Sequence, residues 1–241
     1  MATRSTEIRT RTRRREPERE EGPQAPAQDA RWAHLDPRLV EELSAGGWDH
    51  GWRLTPTAHA PLRGPTARQE TWTLEGMIEP FARDQLALAE ERSVLDLNCG
   101  EGWLAQRLLD WGARRVVAID DRSRHLHRAR LLRAHFAIPE TELDLRPAES
   151  AATESGETFD IVLLVGAPER MLDDRLVSSA RETTRGICAI ESLGGDSVAV
   201  AKLALAAGFT SVERVPPPLQ GAPRYVLDEH ELLIARTEEA A

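Results

Sequence analysis

The sequence predicts an α/β fold: a doubly wound sheet of seven strands with an N-terminal helical extension. Three observations carry that prediction. From residue 93 onward, seven short apolar runs alternate with segments of helical period. The first run ends in a glycine-containing turn that opens directly into a helix. The second ends in an acid, Asp120. Apolar strands alternating with helices imply a parallel sheet covered on both faces.

Residues 1–30 are expected to be a tail. Arg13-Arg14-Arg15 is followed at once by Glu16, Glu18, Glu20 and Glu21, and the segment carries almost nothing apolar. Such a segment buries too little surface to offset its ordering entropy. The acids weigh against a transit peptide, and the absence of an apolar core region weighs against a secretory signal.

Residues 31–92 read as a helical lid region. Leu35, Leu39, Val40 and Leu43 have helical spacing, and Gly46-Gly47 stops that helix. A loop follows, Trp48-Asp49-His50-Gly51-Trp52, with Pro56, Pro61, Gly64 and Pro65 beyond it. Its aromatics are expected to pack the loop down rather than line a pocket. Trp72, Leu74, Met77, Ile78, Phe81 and Leu86 suggest a second amphipathic helix reaching about Glu90.

Residues 93–241 carry the alternating pattern. Expected strands are Ser93–Leu97, Arg115–Ile119, Glu142–Leu145, Phe159–Val165, Gly186–Glu191, Val212–Val215 and Glu231–Ala235. Expected helices are Trp103–Gly112, Arg122–Phe136, Leu172–Thr184 and Asp196–Gly208, the last with Asp196 as N-cap and Gly208 at its end. The last two strands are joined by the Pro- and Gly-rich stretch 216–223. The helix from Arg122 holds Arg124, His125, His127, Arg128, Arg130 and Arg133 and is expected to present a solvated basic face.

Composition narrows the function. The 241 residues carry 31 Lys+Arg against 40 Asp+Glu, a net charge of −9. That disfavours a nucleic-acid partner, although a local basic patch leaves one open. No apolar run is long enough to span a membrane. Two cysteines, Cys99 and Cys188, are too few for a disulfide framework or a cysteine metal cluster, and a reducing cytoplasm fits. No metal site is expected. Of the basic residues only Lys202 is lysine, which reads as coding bias.

The informative stretch is Val94-Leu95-Asp96-Leu97-Asn98-Cys99-Gly100-Glu101-Gly102-Trp103. In a doubly wound sheet the ligand crevice lies beyond the carboxyl ends of the strands. Gly100 and Gly102 allow close approach to the backbone, and the next helix offers free N–H groups. Asp120, about 18 residues past the turn, can accept from both hydroxyls of a ribose. A dinucleotide site needs G-x-G-x-x-G, and position 105 here is alanine. Asp96 and Glu101 are poor company for a pyrophosphate and suit a ligand with a positive end.

At these residues the chain resembles the class I S-adenosylmethionine-dependent methyltransferases, whose fold is Rossmann-like. Their first motif, an acid followed by G-x-G-x-G, reads here Asp96-Leu97-Asn98-Cys99-Gly100-Glu101-Gly102. The ribose acid matches Asp120, the F-D-x-V strand begins at Phe159, and Ala207-Gly208-Phe209 matches the motif before the sixth strand. The Trp-rich lead-in, Met77–Phe81 and Thr184-Arg185-Gly186 resemble more narrowly the relatives of transfer-RNA wobble-uridine methyltransferases.

The resemblance implies S-adenosylmethionine as cofactor. It places Asp96 on the methionine amine, and Asn98, Gly100 and Gly102 along the methionine. Asp120 falls on the ribose, Ala148 and Glu149 beside adenine, and Val165 at the methyl-donor end. Asn98 stands where the family has its first glycine and tolerates positive φ better than most residues. The segment after Val165, Gly166-Ala167-Pro168-Glu169-Arg170, lacks the Asn-Pro-Pro-Tyr type of motif used for amino-group methylation.

The expected function is methyl transfer to an unidentified acceptor, a small molecule rather than RNA. His50 and His59 are the candidate general bases. A catalytically degenerate scaffold of the same fold is the alternative, and a nucleotide-sugar or NAD enzyme is a third reading. On structural grounds alone Asp96 would cap the turn and Asp120 the following helix. Cys99 is expected to pack in the turn.

Overall fold

The computed structural model describes residues 36–55, 58–61, 78–87, 91–148, 156–166, 172–193, 196–215 and 230–238. The expected tail, the segment 62–77 of the lid region, Glu149, Ala167–Arg170 and the stretch 216–223 lie outside the described residues. The elements are α1 (Pro37–Ser44), β1 (Trp52–Arg53), β2 (His59–Ala60), α2 (Glu79–Ala87), β3 (Ser93–Leu97), α3 (Trp103–Asp110), β4 (Arg115–Asp120), α4 (Ser123–His135), β5 (Leu143–Pro147), β6 (Phe159–Leu164), α5 (Asp174–Thr183), β7 (Thr184–Leu193), α6 (Ser197–Ala206), β8 (Ser211–Val215) and β9 (His230–Arg236). A two-stranded ribbon joins β1 to β2, and a seven-stranded sheet runs β5-β4-β3-β6-β7-β9-β8.

Strands β3 to β7 pair in parallel. The expectation of a wholly parallel sheet is corrected at the far edge, where β9 runs antiparallel to both β7 and β8. A parallel return needs a crossover, usually a helix. The Pro- and Gly-rich stretch before β9 carries no helix-period pattern, so the chain comes back the other way. The strand order reverses between β4 and β6 across β3, and that switch point fixes where a ligand crevice opens.

Each strand divides its side chains between two cores. Val94, Val116, Ile161 and Ala189 face one; Leu95, Val117, Val162 and Cys188 face the other. The first core is covered by α3, α4 and the N-terminal segment, the second by α5 and α6. The caps follow the sequence. Asp36 accepts from the Arg38 N–H at 2.9 Å, Asp173 from Leu176 and Asp196 from Ala199, each also at 2.9 Å. Gly208 ends α6 at φ +97°, a conformation only glycine adopts freely.

In the N-terminal segment Trp48 and Trp52 are buried, and the Trp48 indole N–H donates to Leu43 O at 2.7 Å. They pack the loop, as the sequence suggested. Burying an aromatic of this size stabilises by about 2–3 kcal/mol, so the segment is welded to the domain.

Helix α4 departs from its expected role. Arg124, His127 and Arg130 are exposed, but His125, Arg128 and His135 are buried with Leu132. Residues three and four apart share one helix face, and that spacing turns these polar groups inward. The solvated-face expectation is therefore corrected for half of the helix.

Candidate active site

The turn after β3 is built by its backbone angles. Asn98, Gly100 and Gly102 have φ of +70°, +56° and +79°. Asn98 therefore adopts the left-handed geometry that its side chain tolerates. Its amide donates to Val165 O at 3.3 Å, stitching β3 to β6 across the switch point. The Gly102 position is crowded: a Cβ there would meet the Ala129 Cβ at 3.1 Å. Glycine at 102 thus lets the turn lie against α4.

Asp96 lies on β3 one residue pair below the turn, 1% exposed, with its Oδ2 buried and without a hydrogen-bond partner. Burial, with the nearby Asp120 charge, pushes its pKa up to about 7. A buried carboxyl oxygen left without a donor is costly. A cation such as an ammonium group resolves that cost. The geometry argues against the capping alternative, because no backbone N–H of the turn binds this oxygen.

Asp120 ends β4 and is equally buried. It accepts from the Gly100 N–H at 2.8 Å and from the Arg122 N–H at 2.8 Å, with the Arg122 Nε at 3.3 Å. His125 Nδ1 lies 3.6 Å away. Burial alone would raise its pKa, but His125 and the Arg122 N–H outweigh burial and hold it below the ordinary carboxylate value. Asp120 thus supports the turn and fixes the Arg122 N–H just ahead of α4, at the position where the resemblance sets the ribose; the N-cap of α4 is Arg122, so Asp120 does not itself cap the helix.

Glu101 does not face a ligand. It accepts from the Asp49 N–H at 2.8 Å and pairs with Arg128, which also donates to Gly47 O at 2.7 Å and stacks over Trp48 at 4.6 Å. The expectation that Glu101 would meet the ligand's positive end is corrected, since a buried carboxylate beside a buried guanidinium pairs with it. His125 Nε2 lies 3.6 Å from Asp49 Oδ2. Sequence reasoning missed this clamp of Glu101, Arg128 and His125; the three-residue spacing of His125 and Arg128 was the available signal.

Of the two candidate bases, His59 is exposed on β2, where it pairs with Arg53. His50 stacks on Trp103, with ring centroids 5.5 Å apart and an interplanar angle of 22°. Both its ring nitrogens are buried and unpartnered. Burial lowers its pKa to about 4, with Asp49 opposing and His125 reinforcing. Ala148 is exposed immediately beyond β5, and Val165 is buried just past β6. Cys99 is buried, and burial pushes its thiol well up, which suits packing rather than nucleophilic chemistry. Among the described residues no group of three or more His, Cys, Asp or Glu is arranged to hold a metal, and no helix is long and apolar enough to cross a membrane.

Comparison with known proteins agrees with this geometry. A family model described as a methyltransferase domain matches residues 94–187. The fold is the one seen in S-adenosylmethionine-dependent methyltransferases. Three solved structures illustrate the likeness in fold. Magnesium protoporphyrin IX methyltransferase from Synechocystis PCC 6803, with bound S-adenosylmethionine, is 14% identical with a TM-score of 0.56, over 71% of this chain and 81% of that one. An S-adenosylmethionine-dependent methyltransferase from Mesorhizobium loti is 18% identical with a TM-score of 0.51, over 68% and 99%. The N-terminal domain of EvdMO1, crystallised with S-adenosylhomocysteine and D-fucose, is 15% identical with a TM-score of 0.57, over 86% and 99%.

Against the longer EvdMO1 chain, this chain spans 46% of the length. No curated protein gives a sequence match. The residues present fit S-adenosylmethionine, the cofactor that the resemblance implies: a glycine cradle, a buried acid with an unpartnered oxygen, and a second acid at the end of β4.

Proposed function

We propose that this chain is an S-adenosylmethionine-dependent methyltransferase that acts on a small-molecule acceptor rather than on RNA. In this reading residues 93–241 form the cofactor-binding domain, residues 31–92 cover it, and residues 1–30 are a solvated tail. The net charge of −9 and the acids at the crevice disfavour a polyanionic acceptor. A cytoplasmic setting fits the free, buried Cys99 and Cys188.

Asp96 binds the cofactor's amine, and Asn98, Gly100 and Gly102 form the wall along its methionine. Asp120 takes the ribose edge, Ala148 and Glu149 flank the adenine, and Val165 closes the methyl-donor end. When bound, the cofactor supplies an electrophilic methyl group. The protein's contribution is alignment and exclusion of water, and an already nucleophilic acceptor needs no base. If a base is required, His50 and His59 are the candidates, and the neutral His50 is the better placed beside the turn.

The observation that carries the reading is the unpartnered Oδ2 of Asp96 beside the glycine turn. The test has two parts. S-adenosylhomocysteine should bind the wild-type protein, and labelled methyl from S-adenosylmethionine should pass to members of a small-molecule panel but not to bulk transfer RNA. Transfer to RNA alone would overturn the acceptor class, and no binding would overturn the whole reading.

A further inference from the structure

Methionine brings two charges to the cofactor, an ammonium and a carboxylate. The resemblance and the buried acid account for the first. The second needs a hydrogen-bond donor, and most donors around the turn are already engaged. The Gly100 N–H goes to Asp120, the Gly102 N–H to Cys99 O at 3.0 Å, and the Cys99 N–H to Ile119 O at 2.9 Å. Arg128 is bound to Glu101 and Gly47 O, and Arg122 to Asp120. Arg107 lies over the Trp103 ring one turn further along α3, with its Nη1 3.9 Å from Asp110.

His50 remains. Its imidazole stacks on Trp103, the first residue of α3, and neither ring nitrogen has a partner, although both are buried. A neutral imidazole always carries one N–H donor. The start of α3 adds the positive end of a helix dipole, which favours an anion. Residue 50 is held there by its neighbours: the Asp49 N–H is fixed to Glu101, and the Gly47 carbonyl to Arg128.

We infer that His50 is a cofactor-binding residue that donates a hydrogen bond to the α-carboxylate of the methionine moiety. The inference rests on the cofactor placement proposed above. It gives His50 a role that does not depend on the acceptor, and it explains why an unpartnered imidazole is kept at the mouth of the turn. The Glu101–Arg128 pair then acts through His50, as a positioning pair.

Calorimetric titration with three ligands tests this. S-adenosylhomocysteine carries both methionine charges, its decarboxylated analogue S-adenosyl-3-thiopropylamine keeps only the ammonium, and 5′-methylthioadenosine keeps neither. His50→Ala and His50→Phe should each weaken S-adenosylhomocysteine at least tenfold and leave the other two ligands within twofold of wild type. His50→Asn, which keeps a donor, should recover part of the loss. Arg107→Met should change none of the three.

Equal weakening of all three ligands in the His50 variants would make the residue structural and overturn the assignment. So would an unchanged affinity for S-adenosylhomocysteine, or a carboxylate-specific loss in Arg107→Met in place of the His50 variants. If the wild-type protein binds none of the three, the cofactor placement itself fails. If it binds all three and His50 does not discriminate, only this inference does.

Discussion

At the residue scale the site is organised by two acids of opposite character. Asp120 is satisfied by backbone N–H groups and held ionised. Asp96 is buried, unpartnered on Oδ2, and titrates at about 7. An ammonium needs the ionised form of Asp96. Affinity for S-adenosylhomocysteine should therefore rise as pH increases from about 6 to 8, with a proton released on binding at the lower end. Titration across that range checks it, and Asp96→Asn should flatten the profile.

For Asp120 the sign is the reverse. Its depressed pKa adds stability that is present above the ordinary carboxylate value and is lost as pH falls through the folded-state value. Asp120→Ala leaves the Gly100 and Arg122 N–H groups without their acceptor. It should lower the unfolding free energy by about 2–3 kcal/mol in chemical denaturation and weaken cofactor binding at least tenfold.

At the element scale the seam between α4 and the N-terminal segment is held by a buried ion pair. Glu101 is 1% exposed, and its partners are Arg128 and the Asp49 N–H. Removing one member of a buried pair leaves an uncompensated charge and typically costs about 3–5 kcal/mol. Arg128→Met should show a loss of that size in urea denaturation. Adding Glu101→Gln should restore part of it, because the double variant no longer buries a lone carboxylate. Simple additivity of the two losses would show that the groups do not act as a pair.

The sequence was most legible at this scale where a single pattern rules. Strand β3 spans Ser93–Leu97, as its apolar run indicated, and the caps at Asp196 and Gly208 fall where their chemistry puts them. It was least legible where tertiary contact overrides local character. The many arginines of α4 read as a wet surface, because composition carries no record of which face they occupy. Glu101 read as a ligand group, because its partner lies 27 residues away and only the fold brings them together. The reversed direction of β9 follows a Pro- and Gly-rich connection that carries no helical pattern.

At the scale of the whole molecule, function is held against stability. Asp96 favours its protonated form in the fold. Its contribution to stability is greatest at low pH and falls as pH rises from 3.8 towards 7. His50 works in the other direction: its pKa is depressed from 6.5 to about 4, so stability falls as pH drops through that window. Around pH 8 the ligand-free protein carries the full cost of the Asp96 charge. Asp96→Asn should therefore melt several degrees higher than wild type at pH 8 without ligand, while losing most of the stabilisation that ligand gives. A residue that costs stability when its pocket is empty fits the binding role proposed for Asp96.

The most direct test of the central claim is thermal unfolding at pH 8 with and without S-adenosylhomocysteine. At about 100 times its dissociation constant the ligand should stabilise the wild-type protein by roughly 2.7 kcal/mol. For a chain of this size that is a rise on the order of 5–10 °C, and Asp96→Asn should show much less of it. An unchanged melting temperature for the wild-type protein at millimolar ligand would contradict the account.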